Sequence, residues 1–364
     1  MIRWIPRSEM VWWKKSLILL GFLVMSFFLS SLIFLFVKSS PLLALQKIFM
    51  GSFGSIYGIK ETITKAIPLI LIGTGLAVAF KAKCWNIGAE GQLLLGAVGA
   101  TWIALRLSPM IPGYLVLPGM LFAGFLLGSL WGLIPALLKT QLGINETIVT
   151  LMLNYIAAEI VQYLVYGPWK GKTQWGFPYT DRFPAAASLS YIPGTRIHWL
   201  TLILAISLSL LSWFILSKTR WGFETRVAGE NPSAAKYAGI SLTRTLILVM
   251  IWSGGLAGIA GVGEVAGIHR YLTYPWSISS GYGFTAIIVA WLAKLNPLYV
   301  VFSAFFFSGI LVGGDAIQTS MGLPFATVNI FNGMLLLSLL AGSYFSEYQP
   351  VFSRQKKETT QWIG

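Results

Sequence analysis

"ETITKAIPLILIGTGLAVAFKAKCWNIGAEGQLLLGA", residues 61–97, decides the class of this protein. Residues 62–80 are apolar for long enough to cross a bilayer, which takes about 20 residues of helix. Lys81 and Lys83 end the run, and a second apolar run opens a few residues later. At its start stands a carboxylate, Glu90, with Asn86 and Gln92 close by and the small residues Gly88, Ala89 and Gly91 between them.

The rest of the chain repeats the pattern. Of 364 residues, 56% are hydrophobic and 10% charged, with a mean hydropathy of +0.73. A soluble domain is about one quarter charged, so the composition points to an integral membrane protein. The runs are helix-length rather than strand-length, which makes it all-α. About ten transmembrane helices are expected, at 16–37, 62–80, 87–107, 114–138, 145–166, 198–217, 245–267, 282–293, 296–314 and 324–343. The eighth is short, and Pro297 separates it from the ninth, the pattern of a discontinuous membrane helix. The first run exceeds the apolar core of a signal peptide and reads as a retained span, with Trp4, Trp12 and Trp13 at the interface.

Charge sets the orientation. The net charge is +14. With the N-terminus inside, 16 of the 26 Lys and Arg residues fall in cytoplasmic segments, among them Arg7, Lys81, Lys83, Arg226, Lys236, Arg354, Lys356 and Lys357. Excess positive charge inside, facing anionic lipid rather than nucleic acid, predicts cytoplasmic N- and C-termini. The expected organisation is a cytoplasmic segment 1–15, a transmembrane domain 16–343 and a cytoplasmic tail 344–364. An outer loop covers 167–197 and an inner loop 218–244.

The inner loop carries a helix-start signal. Asn231 can cap, Pro232 suits the first helical position, and Ala234, Ala235 and Tyr237 continue to a stop at Gly239. This short helix either docks a cytoplasmic partner or rests on lipid.

Within the spans, helical spacing places Asn86 and Glu90 on one face. An acid near a helix start gains about 0.3–1 kcal/mol from the macrodipole, whereas one at mid-bilayer costs roughly 2.5–3.5 kcal/mol. Two readings follow: a fold-stabilising acid, or the polar wall of a pathway. In "INETIVTLMLNYIA", 144–157, Asn145 is the expected cap, and Thr147, Thr150 and Asn154 begin a polar stripe that continues through Ala158 and Gln162. In "SGGLAGIAGVGEVAG", 253–267, Gly254, Gly258 and Gly261 form a close-packing face, and Glu264 either pairs with Arg270 or lines an outer vestibule. Phe284 and Thr285 open the short eighth span. Asp315 reads as a cap or surface residue.

Several chemistries are excluded. One cysteine, Cys84, leaves no internal disulfide, and two histidines, His198 and His269, leave little for a metal site. "GPWKGKT", 167–173, imitates a phosphate loop but has three residues between its glycines, not four. The chain carries no ATPase motif and is not expected to be an enzyme.

These stretches resemble the permease subunits of ABC importers of the simple-sugar and branched-chain-amino-acid class, and are similar to the larger permease of bacterial nucleoside uptake systems. The resemblance runs from Gly51 to Ser343 and rests on GSFGSIYG (51–58), the 61–97 segment, INETIVTLMLNYIA, RVAGENPSAAKYAGI (226–240) and GYGFTAIIVAWLAKLNP (281–297). It implies a bacterial inner-membrane subunit working with a second, paralogous permease, a cytoplasmic ABC ATPase that holds ATP and Mg, and an extracytoplasmic substrate-binding lipoprotein. It also implies an ATPase-coupling role for Glu230, Asn231, Pro232, Ala234, Ala235, Tyr237 and Gly239. Asn86, Glu90, Gln92, Thr147, Thr150, Asn154, Phe284 and Thr285 are the expected pathway residues. Nucleosides are the expected cargo, a ribose-type sugar the alternative. A lone proton-coupled carrier using Glu90, Glu146 and Glu264 is the reading from another class.

Overall fold

A computed structural model of the chain describes residues 2–6, 12–36, 39–172 and 176–352. Arg7 of the charge pattern, the last residue of GPWKGKT, and Arg354, Lys356 and Lys357 of the expected tail lie outside them. The described residues fold into two compact units, 52–312 and the two end segments up to 51 and from 313.

The end-segment unit contains β1 (Ile2–Pro6), α1 (Trp12–Ser31), α2 (Ile33–Phe36) and most of α3 (Pro41–Phe53). The 38–61 stretch, between the first two expected spans, is largely helical. The axis breaks by 117° between Val24–Phe36 and α3, where Pro41 starts a new helix because proline fits the first helical position. Phe34 and Phe331 pack with ring centroids 5.3 Å apart. The last strand, β2 (Tyr348–Phe352), pairs antiparallel with β1, Ile2 opposite Phe352 and Pro6 opposite Tyr348. The chain is mostly helical, as expected, and two terminal segments add a small ladder that satisfies their backbone groups. Asp315 is exposed within α14 (Pro297–Met321) of this unit, and α15 (Phe325–Glu347) follows.

The larger unit begins with α4 (Ile56–Lys81) and α5 (Ala89–Trp102), the latter continued by a π-helical turn over Ile103–Leu107. Then come α6 (Gly113–Leu142), α7 (Glu146–Tyr166), α8 (Trp199–Lys218), α9 (Arg220–Glu230), α10 (Pro232–Tyr237), α11 (Leu242–Gly263, with a π-helical turn over Glu264–His269), α12 (Pro275–Ser279), α13 (Tyr282–Leu292) and the first part of α14. Among the described residues, six helices are long and apolar enough to cross a membrane, or seven if the bent α1–α3 region counts as one. Of the other expected spans, 87–107 falls on α5 with its π-helical turn, 282–293 on the 11-residue α13, and 324–343 on the 23-residue α15.

Helices α4 and α11 form the centre of this unit. In the most apolar window of α4, 89% of residues are buried, against 28% for α8. Close approach, rather than bulky side chains, makes this centre. A Cβ on Gly258 would overlap the carbonyl oxygen of Gly124, and one on Gly261 would overlap that of Leu93. Gly96 faces Gly258, and Gly128 faces Gly254. Small residues let helix backbones touch where no hydrophobic force drives association, which is the packing role expected of the 253–267 glycines.

The outer loop is stitched to the end of α11. Thr180 and Phe183 donate backbone N–H groups to Leu272 and Arg270, and Leu189 donates to Ala266. The Arg270 guanidinium lies 4.9 Å from the centroid of the Tyr191 ring, and no ion pair joins it to Glu264 among the described residues. The inner loop holds the expected short helix, α10, and a second helix, α9, fills its first half.

Candidate pathway and docking sites

Residues 82–88 are not helical, so Asn86 precedes α5 rather than sharing a helical face with Glu90. A chain crossing between two buried helices exposes backbone groups that lipid cannot satisfy. The surrounding side chains meet them one by one. Asn86 donates to Gln92 Oε1 (2.9 Å) and Ser253 Oγ (3.0 Å), and accepts from the Gly88 N–H (3.0 Å) and Gln92 Nε2 (3.1 Å). From α7, Thr150 Oγ1 accepts the Ile87 N–H at 3.2 Å. Asn154 accepts the Gly91 N–H at 2.8 Å and donates to the Ile87 carbonyl at 2.9 Å. At the near end, Glu146 accepts the Trp85 N–H (3.2 Å) and pairs with Lys139 of α6. Thr147 is half-buried, and its N–H is held by the Asn145 cap at 2.9 Å.

This knot joins α5, α6, α7 and α11. Cys84 lies buried in its apolar flank with Val78, Ala136 and Met250, and burial pushes its thiol up to about 12. It therefore stays a protonated, unreactive thiol.

Glu90 faces another way. One carboxylate oxygen accepts the backbone N–H of Gly283 at 2.7 Å, and the turn from Ser279 to Gly281 also faces the buried carboxylate. Gly283 is the second residue of α13, whose N-terminus is the positive end of the helix dipole. The approach requires glycine: a Cβ on Gly283 would lie 2.6 Å from Glu90 Cα and 2.8 Å from its carboxylate oxygen. Gly281, at φ +83°, turns the chain into the helix. Thr285 is buried and donates back to the Gly281 carbonyl at 3.1 Å, and Phe284 is exposed. At the far end of α13, Trp291 stacks on Trp85 with centroids 5.7 Å apart. Glu264 is buried at the opposite end of α11.

The structure thus brings Asn86, Gln92, Thr150 and Asn154 into one network, and Glu90 together with Phe284 and Thr285 around a half-length helix. Ser253 and Gly283 complete these two groupings. Sequence reasoning placed both in motifs without a polar role, and only the 167- and 193-residue separations closed by the fold reveal them.

The second site is at α9–α10. Asn231 closes α9 by donating its N–H to the Val227 carbonyl (3.0 Å), and opens α10 by accepting the Ala234 N–H on Oδ1 (3.0 Å). Pro232 stands at the first helical position, and Gly239 ends the turn at φ +74°. Ala235 is buried and anchors α10. Glu230, Asn231, Pro232, Ala234 and Tyr237 are exposed, Tyr237 at 98%. Beneath them α9 is fastened to the body: Gly229 lies against the Lys81 carbonyl, and Gly222 against Leu216. Tyr237 is thus a large aromatic held clear of its own fold on a helix capped at its start by Asn231.

Known proteins carry the same pattern across nearly the whole chain. A glucose ABC transporter permease of Haloferax volcanii is 34% identical over 85% of this chain and 83% of its own. A guanosine ABC transporter permease of Bacillus subtilis is 34% identical over 85% and 87%. A nucleoside ABC transporter permease of Lactococcus lactis is 32% identical over 89% and 90%. Residues 58–340 match the family described as the branched-chain amino acid transport system permease component; the chain belongs to that family, as a multi-pass membrane permease of ABC type.

Proposed function

We propose that this chain is one of two permease subunits of an ATP-driven importer and that its cargo is a nucleoside. The observation that carries the coupling role is α10, capped, anchored by Ala235 and exposing Tyr237. The relatives named for guanosine and nucleosides support the cargo. ATP and Mg belong to a separate cytoplasmic ATPase, and an extracytoplasmic lipoprotein delivers the substrate in the bacterial cell membrane. The β1–β2 pairing supports termini on one face and an even number of crossings.

The proposed mechanism is mechanical. ATPase closure moves α10. The motion passes to α9 and, through Gly229 against the Lys81 carbonyl, to the end of α4. Packed helices with two discrete arrangements convert such a push into alternating access. Glu90, Phe284 and Thr285 are the proposed pathway-bordering residues, because they meet at the N-terminus of α13, whose 11 residues are too few to cross a bilayer. Asn86, Gln92, Thr150 and Asn154 position that wall by holding the 85–91 segment.

A sugar is the second reading, supported by the glucose permease relative. A lone proton-coupled carrier is disfavoured, since Glu146 of the supposed relay is held by Lys139 and the Trp85 N–H. The test is ATP hydrolysis by the full complex in vesicles, compared with adenosine, guanosine, uridine and ribose. Stimulation by nucleosides alone supports the reading. Stimulation by ribose alone moves the cargo to sugars, and ATP-independent uptake by this chain would overturn the importer.

A further inference from the structure

We infer that the cytoplasmic end of the larger unit holds a binding site for one phosphate group, supplied by an anionic lipid headgroup. A cavity of about 130 Å³ is lined by Lys81, Arg226, Trp213, Ser217 and Asn296, with Pro297 and leucines as its apolar wall. Four separate elements meet there. Lys81 is the last residue of α4, Trp213 and Ser217 lie in the final turns of α8, Arg226 comes from α9, and Asn296 from the turn before α14.

The chemistry is that of a phosphate site. Two cations, a hydroxyl and an amide converge, and no carboxylate forms an ion pair with Lys81 or Arg226 among the described residues. The Asn296 Oδ1 is occupied by the Leu298 N–H at 3.1 Å, which leaves its amide nitrogen as a donor. Arginine offers a planar fork matched to phosphate oxygens and lysine a point charge. The volume suits a headgroup and not an acyl chain.

Position favours lipid over a soluble anion. α4 and α8 both cross the membrane by length and composition, and both end in lysine at this level. A half-buried tryptophan beside such ends marks the headgroup layer. The site also includes Arg226 of the helix that carries α10, so a bound phosphate would tie the docking element to two spans.

The test is native mass spectrometry of the full chain released from nanodiscs of phosphatidylcholine with phosphatidylglycerol, repeated with inorganic phosphate as competitor. Wild type is expected to retain one phosphatidylglycerol. Each near-surface cation contributes about fivefold in lipid affinity. Lys81→Gln with Arg226→Gln should therefore weaken retention about thirtyfold. Arg220→Gln removes one charge at the same face from a side chain already paired with Glu224, and should leave retention unchanged. Displacement by millimolar phosphate would keep the site and assign it to a soluble anion. Equal loss in the Arg220→Gln variant, or full retention in the double variant when both remain folded by circular dichroism, would overturn it.

Discussion

Glu90 and Gly283 are 193 positions apart in the chain, yet the carboxylate of one accepts the backbone N–H of the other at 2.7 Å. The contact closes the N-terminus of α13 with a side chain from α5. We predict that Glu90→Gln, which keeps an acceptor oxygen, leaves thermal stability near wild type and cuts uptake, because the carboxyl group is replaced by an amide where the pathway is proposed. Paired thermal melts and uptake assays decide this. A fall in both by the same proportion would reduce Glu90 to a structural acid.

Gly283→Ala tests the same junction from the other side. The added methyl has no room against the Glu90 backbone. Overpacking of this kind costs about 1–3 kcal/mol. A lowered melting temperature is expected, and an unchanged one would mean that α13 sits farther from α5.

The central crossing makes a paired prediction. Gly258→Ala puts a Cβ into the Gly124 carbonyl, whereas Gly263→Ala, less than two turns along α11, meets Thr201 at an ordinary 3.6 Å. The first variant should lose most folded protein in the membrane and the second little. Equal yields from fluorescence-detected chromatography would sink the close-packing account.

For α10, the proposed docking helix, Tyr237→Ala should leave the melting temperature unchanged, since the side chain touches almost nothing of its own chain. Loss of an interface anchor costs 2 kcal/mol or more, about thirtyfold in affinity. Co-purification of the partner ATPase should fall accordingly. Undiminished co-purification would remove Tyr237 from the interface.

The pH prediction rests on His198. It is buried before α8, its Nδ1 lies 2.9 Å from Thr201 Oγ1, and its Nε2 has no hydrogen-bond partner. Burial, with Arg196 nearby, lowers its pKa from 6.5 to about 4. Below pH 6.5 the unfolded chain binds a proton that the folded chain refuses, so stability falls as the pH drops from 6.5 toward 4. Melts from pH 7.5 to 4.5 should show that decline, and His198→Gln should flatten it. Identical slopes would assign the acid sensitivity to other groups.

The sequence by itself determined the membrane class, the places of most helices and the Asn231 cap. These follow from local quantities: the length of apolar runs, the period of small residues and the residue types that satisfy a free helix end. It also marked Asn86, Glu90, Thr150 and Asn154 as out of place in lipid. Only the tertiary structure decided what each one meets. Asn154 bonds the 87–91 backbone from 63 and 67 positions away, and Glu90 meets a helix that begins beyond α11. A polar stripe on a helix reads the same whether it faces water, a cavity or another chain segment. Its partner depends on which non-local backbone groups the fold leaves unsatisfied, and no local pattern encodes that.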